Sequence, residues 1–595
     1  MVDRWSEQLR KYPAAATGLL FLVPFAVFQG TLGSRFIYDD STLIIQNPII
    51  SNPRFWRGIF VFDTFSAAGT YASYFYRPLQ LCVYWLIYRA AGPEPYPFHL
   101  CNLLVYAATG WLVYRLGIEL VKDEVSALAG ALLWLLHPLH VEPIAWISAL
   151  SDLGAGFFYL LGFLLFLRAE KAASERFARH VLAALAFMPA LYFKEMALTF
   201  PLMLLAYWFF SGSSDAASRW RVRAVQWLPY AAVVGVNLTV RDAVFGRLTR
   251  SAHFWDISSR VWGVAAALLG QYTKLAVWPF KLEFFRSLDY PSSLRSPWPW
   301  LALAGIATAL ALRKRAPLIG FLLIWWFVGL LPVLNSQQFS APLLADRAAY
   351  LPSVGLCLAV AHLARGWLPR CLPHWRPARL VLPLLGLVMI AWAVKDVRVI
   401  PSWHDSESSR IYNLQQSPNS VVLHLRQADV LLFLEGKDAE AAAEYQKAMR
   451  LNQTSAWPVS GLEYDYHLFF GRIALREGRT AEAVGHFETA IKLMPHLPEA
   501  YVCLGSVYFP RQEYAKAATC FQRAVQANPY DLNARFYLGT CWMKLGEFYA
   551  AAEQFRAARE VDPTYVQAFQ AEAGALEATG DAAGAAKVRA LAARH

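Results

Sequence analysis

The sequence is poor in charge and in cysteine. Of its 595 residues, 16% are charged and 57% are hydrophobic, whereas a soluble globular protein has roughly 25% charged and 45–50% apolar residues. This imbalance predicts that much of the chain lies in lipid, and it excludes intrinsic disorder and a collagen-like protein. The seven cysteines are scattered and form no paired framework, which excludes a secreted disulfide scaffold.

The motifs of soluble nucleotide-dependent enzymes are also missing. The sequence contains no glycine-rich phosphate loop, no Gly-x-Ser-x-Gly and no Cys-x-x-Cys. We therefore expect any activated substrate to be supplied from outside the protein, and a lipid-linked donor in the bilayer would supply it.

Charge is distributed unevenly between two parts of the chain. Residues 401–595 contain 19 Lys and Arg against 22 Asp and Glu, a net charge of −3, so the first 400 residues contain 36 against 21, a net charge of +15. Only three of the 22 tryptophans lie after residue 400. A basic, Trp-rich membrane part is typical of cytoplasmic loops and headgroup contacts, so we expect membrane lipids as partners and no nucleic acid.

The first 400 residues contain apolar segments of spanning length, about 20 residues being needed to cross the hydrocarbon. The eleven segments lie near 14–32, 97–117, 125–141, 143–167, 180–193, 195–210, 226–242, 299–312, 316–334, 350–367 and 380–397. The pieces at 180–193 and 195–210 are short, and we expect a bend between them at Lys194-Glu195. The sequence therefore predicts an all-α, polytopic membrane helix bundle of eleven spans.

Lys and Arg in the short loops predict the orientation of these spans. Four loops carry clusters of such residues, at 168–179, 219–223, 313–315 and 365–379. All four face the cytoplasm if the N-terminus does so too. This arrangement requires that the apolar stretch at 262–279 does not fully cross the membrane, and it places everything after Val399 outside. The alternative of twelve spans leaves the 313–315 cluster on the wrong side.

The predicted topology gathers the unusual polar clusters of the membrane part on the outer face. The outer segments are 33–96, the turn His137–Glu142, Lys194-Glu195 and 335–352. We interpret this convergence as the strongest indication of a functional site.

The tail repeats with a period of 34 residues. Four sets of three residues follow this spacing, namely Pro495, Pro529 and Pro563; Gly471, Gly505 and Gly539; Ala490, Ala524 and Ala558; and Phe487, Phe521 and Phe555. Small residues let paired helices approach, and a proline ends the second helix of each unit. This pattern is that of the tetratricopeptide repeat (TPR). It predicts a membrane domain at 1–400, a connector at 401–419 and, at 420–595, a superhelix with a concave, peptide-sized groove.

Two adjacent carboxylates follow the first span. Asp39 and Asp40 repel each other at a membrane surface, so at least one of them needs a proton, a cation or a hydrogen-bond donor. A carboxylate at this place can deprotonate a hydroxyl nucleophile. A solvated turn or a helix cap is the alternative interpretation of the same pair.

His137, His140 and Glu142 form the pattern His-x-x-His-x-Glu. Histidines at i and i+3 can share a metal ion, with Glu142 as a third ligand. The prolines at 138 and 143 break the helix, so the spacing guarantees no common face. Two interpretations stay open: a divalent-metal site, and a hydrogen-bonded wall of the functional site. No other cofactor is predicted.

Three cations fall on the predicted outer face: Arg77, Lys194 and Arg347. Arg and Lys are the side chains that bind phosphate or pyrophosphate, although each could instead anchor the protein at the interface. The remaining polar candidates are His99, Asn102, Asp152, Glu195, Asp346 and Tyr350. For His99 and Asn102, one turn apart, a helix-packing hydrogen bond is the more ordinary role.

With these residues the chain resembles the TMTC-like (transmembrane and tetratricopeptide repeat) protein O-mannosyltransferases, which are membrane glycosyltransferases of the GT-C fold. The matching stretches are Tyr38-Asp-Asp-Ser, Tyr76-Arg-Pro, Phe98-His-Leu-Cys-Asn102, His137-Pro-Leu-His-Val-Glu142, Lys194-Glu195 and Ala345-Asp-Arg-Ala-Ala-Tyr-Leu-Pro-Ser353. Each stretch is short, but together with the repeats they follow the same order over nearly the whole chain.

The resemblance implies a polyprenyl- or dolichyl-phosphate sugar donor. It implies inverting transfer to a Ser or Thr hydroxyl of a protein or peptide held by the TPR groove. The general base maps to Asp39 or Asp40, and Lys194 and Arg347 map to positions suited to the donor phosphate. The chain departs from the family at Ala149-Leu-Ser-Asp152, where animal relatives commonly have Gly-Arg before the acidic residue, and at Asp346, where Glu is usual.

Two other functions remain open from the sequence. One is a lipid-linked-polysaccharide ligase or polymerase, and the other is a non-enzymatic membrane scaffold whose repeats recruit partners. The Ala-rich composition and the lack of a visible retention signal favour a bacterial inner membrane, with the N-terminus cytoplasmic and the repeats in the periplasm. In a eukaryote, the same topology would place the repeats in the lumen of the endoplasmic reticulum.

Overall fold

A computed structural model describes residues 11–592 apart from 62–63, 65–74, 213–215, 246–258, 284–285, 287, 289–291, 335–343, 368–380, 434, 455–458, 460 and 563–564. The predicted outer segments around 65–74 and 335–343 therefore lie outside the described residues. The described chain is all-α, as the sequence predicts, with one isolated antiparallel bridge between Arg286 and Leu344.

The helices that precede the repeats carry most of the apolar sequence. They are α1 (Pro13–Phe28), α2 (Pro48–Ser51), α3 (Pro78–Ala91), α4 (Pro95–Val121), α5 (Glu124–Leu135), α6 (Val141–Ala145), α7 (Leu150–Glu170), α8 (Arg176–Phe193), α9 (Phe200–Phe210), α10 (Ala216–Phe245), α11 (Ser259–Val277), α12 (Trp298–Ala311), α13 (Pro317–Leu334), α14 (Ser353–His362), α15 (Val381–Val399) and α16 (Ser406–Gln416). Proline occupies the first turn of α1, α3 and α4, where its missing N–H is not needed.

The repeat region consists of successive helices that pack against their neighbours in the chain. They are α17 (Val421–Phe433), α18 (Asp438–Thr454), α19 (Leu462–Arg476), α20 (Thr480–Leu493), α21 (Pro498–Tyr508), α22 (Tyr514–Ala527), α23 (Leu532–Leu545), α24 (Phe548–Val561), α25 (Val566–Ala578) and α26 (Ala582–Ala592).

The chain forms two compact units. The first unit comprises residues up to 41, 76–423 and 454–457, and the second comprises 42–75, 424–453 and the chain from 458 onward. The second unit thus combines the repeats with the segment that follows the Asp39-Asp40 pair.

The first unit has a continuous apolar core rich in aromatic side chains, such as Trp134, Phe163 and Trp325. Close helix approach depends on small residues there, as is typical of membrane bundles. A Cβ atom added at Gly162 of α7 would lie 2.7 Å from the Cβ of Phe187 on α8. The core therefore holds α7 and α8 against each other, and these two helices lead to the functional site.

Among the described residues, four helices are long and apolar enough to cross a membrane, and a fifth span is present if the bent pair Glu124–Leu135 and Pro138–Ala145 counts as one. The four are Pro13–Gly33, Pro95–Val121, Ile147–Glu170 and Pro317–Leu334. By these helices the chain is an integral membrane protein. Several other predicted segments form shorter helices in the structure, for instance the 11 residues of α9, the 14 of α12 and the 10 of α14.

The predicted bend at Lys194-Glu195 is confirmed. Helix α8 ends at Phe193, Lys194 has an extended backbone (φ −158°, ψ 142°), and a 3₁₀ turn runs from Glu195 to Thr199 before α9 begins. A second interruption separates α5 from the 3₁₀ turn Pro138–His140, where the axis bends by 54°. These interruptions bring polar residues into the apolar core.

The repeats pack as their spacing predicts. A Cβ atom added at Gly471, Gly505 or Gly539 would lie 2.6–2.9 Å from a ring atom of Phe487, Phe521 or Phe555, respectively. The 34-residue spacing of Gly and Phe thus reflects one contact, Gly against Phe, that recurs in three successive units. Glycine is required at these positions because the helices touch backbone to ring.

Replacing Gly505 by Leu should therefore destabilise the second unit. Overpacking a tight interior costs about 1–3 kcal/mol, and thermal unfolding of the purified protein would report the loss as a lower Tm. Gly574→Leu is the matched control, since Gly574 also lies in a repeat helix but has no atom within 4 Å of its added Cβ. Equal melting temperatures for the two variants would contradict the packing account.

Candidate active site

The segment Tyr38-Asp39-Asp40, which we call the acid turn, directly follows the first membrane helix. Asp40 is fully buried, and its Oδ2 accepts a hydrogen bond from the backbone N–H of Ile37 at 3.0 Å. Its Oδ1 accepts bonds from the backbone N–H of Ser148, at 2.8 Å, and from the Ser148 hydroxyl. The side chain of Asp40 therefore fixes the turn to the 3₁₀ turn Ile147–Ala149 of the first unit.

The two carboxylates of the acid turn differ in their surroundings. Asp39 is half-buried, whereas Asp40 is fully buried. Burial raises the pKa of Asp40 to about 7, the hydrogen bonds from Ser148 and Ile37 oppose this rise, and the neighbouring charge of Asp39 adds to it. Asp40 is thus engaged in holding the turn, and Asp39 is the more accessible carboxylate of the two.

The residues 146–148 are held by side chains of α3 and α4. Gln80 donates to the carbonyl of Ser148 at 2.8 Å, Tyr84 to the carbonyl of Ile147 at 2.8 Å, and Asn102 to the carbonyl of Trp146 at 3.1 Å. Asn102 therefore makes the packing hydrogen bond that its sequence position suggests. His99, one turn before it, is fully buried on the same helix.

Lys194 and Arg347 meet around a buried carboxylate. The ammonium group of Lys194 lies 2.6 Å from both carboxylate oxygens of Asp152. The Arg347 Nε lies 4.0 Å from the same carboxylate, and the Arg347 guanidinium and backbone N–H both donate to Glu142. Asp152 and Glu142 are each only 4% exposed, so these pairs compensate charges inside the core.

A second group of ion pairs is centred on Glu195, the residue that follows Lys194. Glu195 accepts from Arg77 at 3.1 Å and from Arg241 at 3.2 Å. Arg241 lies on α10 and was not among the residues predicted from the sequence, because an Arg near the end of an apolar segment is also typical of an interfacial anchor. Its pairing with Glu195 places it with the predicted cations.

We call these seven residues the charged cluster: Arg77, Glu142, Asp152, Lys194, Glu195, Arg241 and Arg347. It contains four cations and three carboxylates, a net charge of +1 when all are ionised. The four cationic side chains are 13–20% exposed, so each remains partly accessible. Such a group can bind an anion that adds negative charge.

Trp146 joins the charged cluster to the acid turn. The guanidinium of Arg347 lies 4.9 Å from the centre of the Trp146 ring, a cation–π contact. Two residues further on, Ser148 donates to Asp40. The acid turn and the predicted phosphate-binding cations are therefore brought together within one unit.

The histidine motif is used for internal contacts. His140 bonds the Tyr106 hydroxyl at 3.0 Å and the Ser353 hydroxyl at 3.1 Å through its two ring nitrogens. His137 contacts the backbone of Leu139 and Ala276, each at 3.3 Å. Since the ring nitrogens are occupied and Glu142 pairs with Arg347, these residues do not fit a shared metal ion. In the described part of the chain no group of three or more His, Cys, Asp or Glu is placed to hold one.

Asp346 and Tyr350 border the charged cluster, but their own contacts are with other residues. Asp346 pairs with Arg286 at 3.2 Å and accepts from the backbone N–H of Glu283 at 3.1 Å. Tyr350 packs against the ring of Trp134, with centroids 5.0 Å apart, and against His140 at 5.2 Å. Their neighbour Arg347 is the residue of this motif that reaches the site.

The fold and the site define a class: an integral membrane protein of α-helices in which a carboxylate turn and a cationic cluster share one unit, with a helical repeat region in another. The tetratricopeptide repeat model matches residues 468–531 and 504–566. A protein O-mannosyl-transferase of Caenorhabditis elegans is 23% identical over 73% of the chain and 62% of its own length. The protein O-mannosyl-transferase TMTC1 of Homo sapiens is 25% identical over 76% of the chain and 56% of its own length.

By these comparisons the chain is a distant homologue of the TMTC-family protein O-mannosyl-transferases and carries tetratricopeptide repeats. The resemblance seen in the sequence motifs is confirmed. The chain spans less than two thirds of the length of these relatives. Among solved structures, a TPR protein described as having an unusual peptide-binding site, YrrB, is 22% identical over 31% of the chain and 90% of its own length, with a TM-score of 0.25.

Proposed function

We propose that this protein is a membrane glycosyltransferase of the GT-C type that moves a sugar from a polyprenyl- or dolichyl-phosphate donor to Ser or Thr hydroxyls of a protein. The observation that carries the proposal is the junction at residues 146–148. Ser148 there binds Asp40 of the acid turn, and Trp146 packs on Arg347 of the charged cluster. A base and a phosphate site must lie close together for transfer in one displacement.

In this proposal Asp39 is the general base. Both oxygens of Asp40 are already bound by protein donors, whereas the half-buried Asp39 lies on the same turn. A base must reach the acceptor hydroxyl within about 2.6–3.2 Å, so the more accessible carboxylate suits this role. Asp40 then positions Asp39 by holding the turn.

The charged cluster is proposed to bind the donor phosphate. As the bond to the sugar breaks, negative charge grows on the leaving lipid phosphate, and preorganised cations stabilise this charge. Arg77, Lys194, Arg241 and Arg347 are held in place by their carboxylate partners, so little reorganisation accompanies the reaction. Attack of the hydroxyl opposite the leaving group inverts the configuration at the sugar carbon.

The repeats are proposed to hold the protein acceptor. Stacked TPR units form concave surfaces suited to extended peptides. The first helices of successive repeats carry Asp429, Asp465 and Glu499. Burial raises the pKa of Asp465 to about 6, and the charges of Asp429 and Glu499 add to the rise. Arg472 and Arg426 lie beside the same carboxylates, so this stretch offers a peptide charges of both signs.

We also propose the eleven-span topology, with the N-terminus cytoplasmic and the acid turn and repeats on the opposite side. The positive loops support it, because Lys and Arg concentrate on the cytoplasmic side of membrane proteins. It places the compartment as the periplasm in a bacterium, or as the lumen of the endoplasmic reticulum in a eukaryote.

The proposal is tested with purified protein and polyprenyl-phosphate mannose carrying radiolabel in the sugar, with and without a Ser/Thr-containing peptide. We expect label on the peptide and none without it. Label in a lipid-linked glycan would instead identify a polysaccharide ligase or polymerase. No transfer with any supplied lipid-phosphate sugar, together with capture of proteins by the repeats, would identify a scaffold and contradict the proposal.

A further inference from the structure

The acid turn is backbone-strained at its first residue. Tyr38 has φ +48°, one of four positive φ values among the non-glycine residues that the structure describes. A bulky aromatic residue adopts this left-handed conformation only where the surroundings hold it there. The contacts of Tyr38 therefore indicate what sets the geometry of the turn.

The side chain of Tyr38 contacts α16, the helix that leads into the repeats. The Tyr38 hydroxyl donates to the Oγ of Ser409 on α16 at 2.7 Å, and Ser409 is fully buried. Asn413, one turn later on the same helix, donates to the Ser409 Oγ at 3.2 Å and to its carbonyl at 2.7 Å. The backbone N–H of Arg35 also donates to the carbonyl of His404, just before α16, at 2.7 Å.

From the strained backbone of Tyr38 and its bond to α16 we propose that α16 positions the acid turn, with Ser409, itself bound by Asn413, acting on Tyr38. The proposal rests on the proposed function, because Asp39 is the residue whose position it sets. In this proposal the connector does more than tether the repeats, because its helix α16 also sets the position of the acid turn. Ser409 is a positioning residue, since it acts through Tyr38 and touches neither substrate.

The test compares Tyr38→Phe, Ser409→Ala and the double variant in the full-length protein, with Ser406→Ala as the matched control on an exposed position of the same helix. We expect the turnover number to fall about 3–10-fold in each single variant, the worth of one hydrogen bond. The double variant should fall no further, because both changes remove the same bond. The KM for the lipid donor should stay unchanged.

Hydrogen–deuterium exchange supplies a readout that does not depend on activity. The amide of Asp40 donates to the carbonyl of Ile37 within the turn. Peptides covering residues 34–47 should exchange about 3–10-fold faster in Ser409→Ala than in the wild type or Ser406→Ala.

The outcomes separate the two proposals. Unchanged exchange overturns the positioning proposal, and so does faster exchange with an unchanged turnover number in an active protein. If the wild type transfers no sugar, the proposed function fails, and the exchange result still decides whether α16 holds the turn.

Discussion

Replacing Asp39 by Asn should lower the rate of sugar transfer by about 10²-fold or more, the usual contribution of a general base. Asn has nearly the same shape but cannot accept a proton from the acceptor hydroxyl. The KM for the lipid donor and the melting temperature should remain close to the wild-type values, because the cations proposed to bind the phosphate are unchanged and Asp40 still binds Ser148. The measurement is initial-rate transfer to a Ser/Thr peptide at saturating donor.

Asp40→Asn is the informative comparison for this prediction. Asp40 accepts from the backbone N–H of Ile37 on one oxygen and from Ser148 on the other. An amide group must turn an NH₂ toward one of these donors, so one buried hydrogen bond is lost. Asp40→Asn should therefore lower both the melting temperature and the rate. Wild-type transfer by Asp39→Asn, with loss only in Asp40→Asn, would move the base to Asp40.

Replacing Arg347 by Met should cause the second large effect, a loss of both stability and donor binding. The change leaves Glu142, only 4% exposed, without its cation, and breaking a buried ion pair costs about 3–5 kcal/mol. Partial exposure of Arg347, at 20%, places the expected value at the lower end of this range. Thermal unfolding and the KM for the lipid-phosphate sugar are the measurements.

The double variant Glu142→Gln with Arg347→Met separates the two effects. Gln removes the uncompensated carboxylate, and its side-chain carbonyl can still accept from the backbone N–H of residue 347. We expect the melting temperature to recover substantially, whereas the donor KM stays raised. Recovery of both quantities would show that Arg347 has only a structural role.

The repeat architecture could be predicted from the sequence because its contacts recur. Each Gly meets the Phe that follows it by 16 residues, and the 34-residue period presents this pair three times. Local spacing thus encodes the packing directly. The bend at Lys194 was predictable for a similar reason, since two short apolar segments flank a charged dipeptide.

The partners within the site could not be predicted in the same way. The bond between Asp40 and Ser148 joins residues 108 positions apart, and the sequence gives a single serine no distinguishing feature. The sequence offers Asp152 as a polar candidate, but its partner Lys194 emerges only when α7 and α8 are packed together. The histidine motif shows the opposite case, since its spacing permits a metal while the folded structure uses the ring nitrogens for internal hydrogen bonds.

The predicted number of spans shows what a hydropathy window measures. Apolar windows count loop residues and short helices alike. In the segment at 350–367, for example, the α-helix Ser353–His362 and the π-helical turn Leu363–Trp367 together stay below the length of a full span. Four or five helices meet the length and composition of a full span in the described residues. The charge of the loops, rather than helix length, is what supports the larger number.

The central claim is that one site couples cleavage of a lipid-phosphate sugar to modification of a hydroxyl, with Asp39 as the base. Its most direct test measures, in a single reaction, the lipid phosphate released and the glycosylated Ser/Thr peptide formed. For the wild type we predict equal amounts of the two products, and for Asp39→Asn we predict that both fall together by about 10²-fold or more. Lipid phosphate released without modified peptide, or equal product yields from the wild type and Asp39→Asn, would contradict the claim.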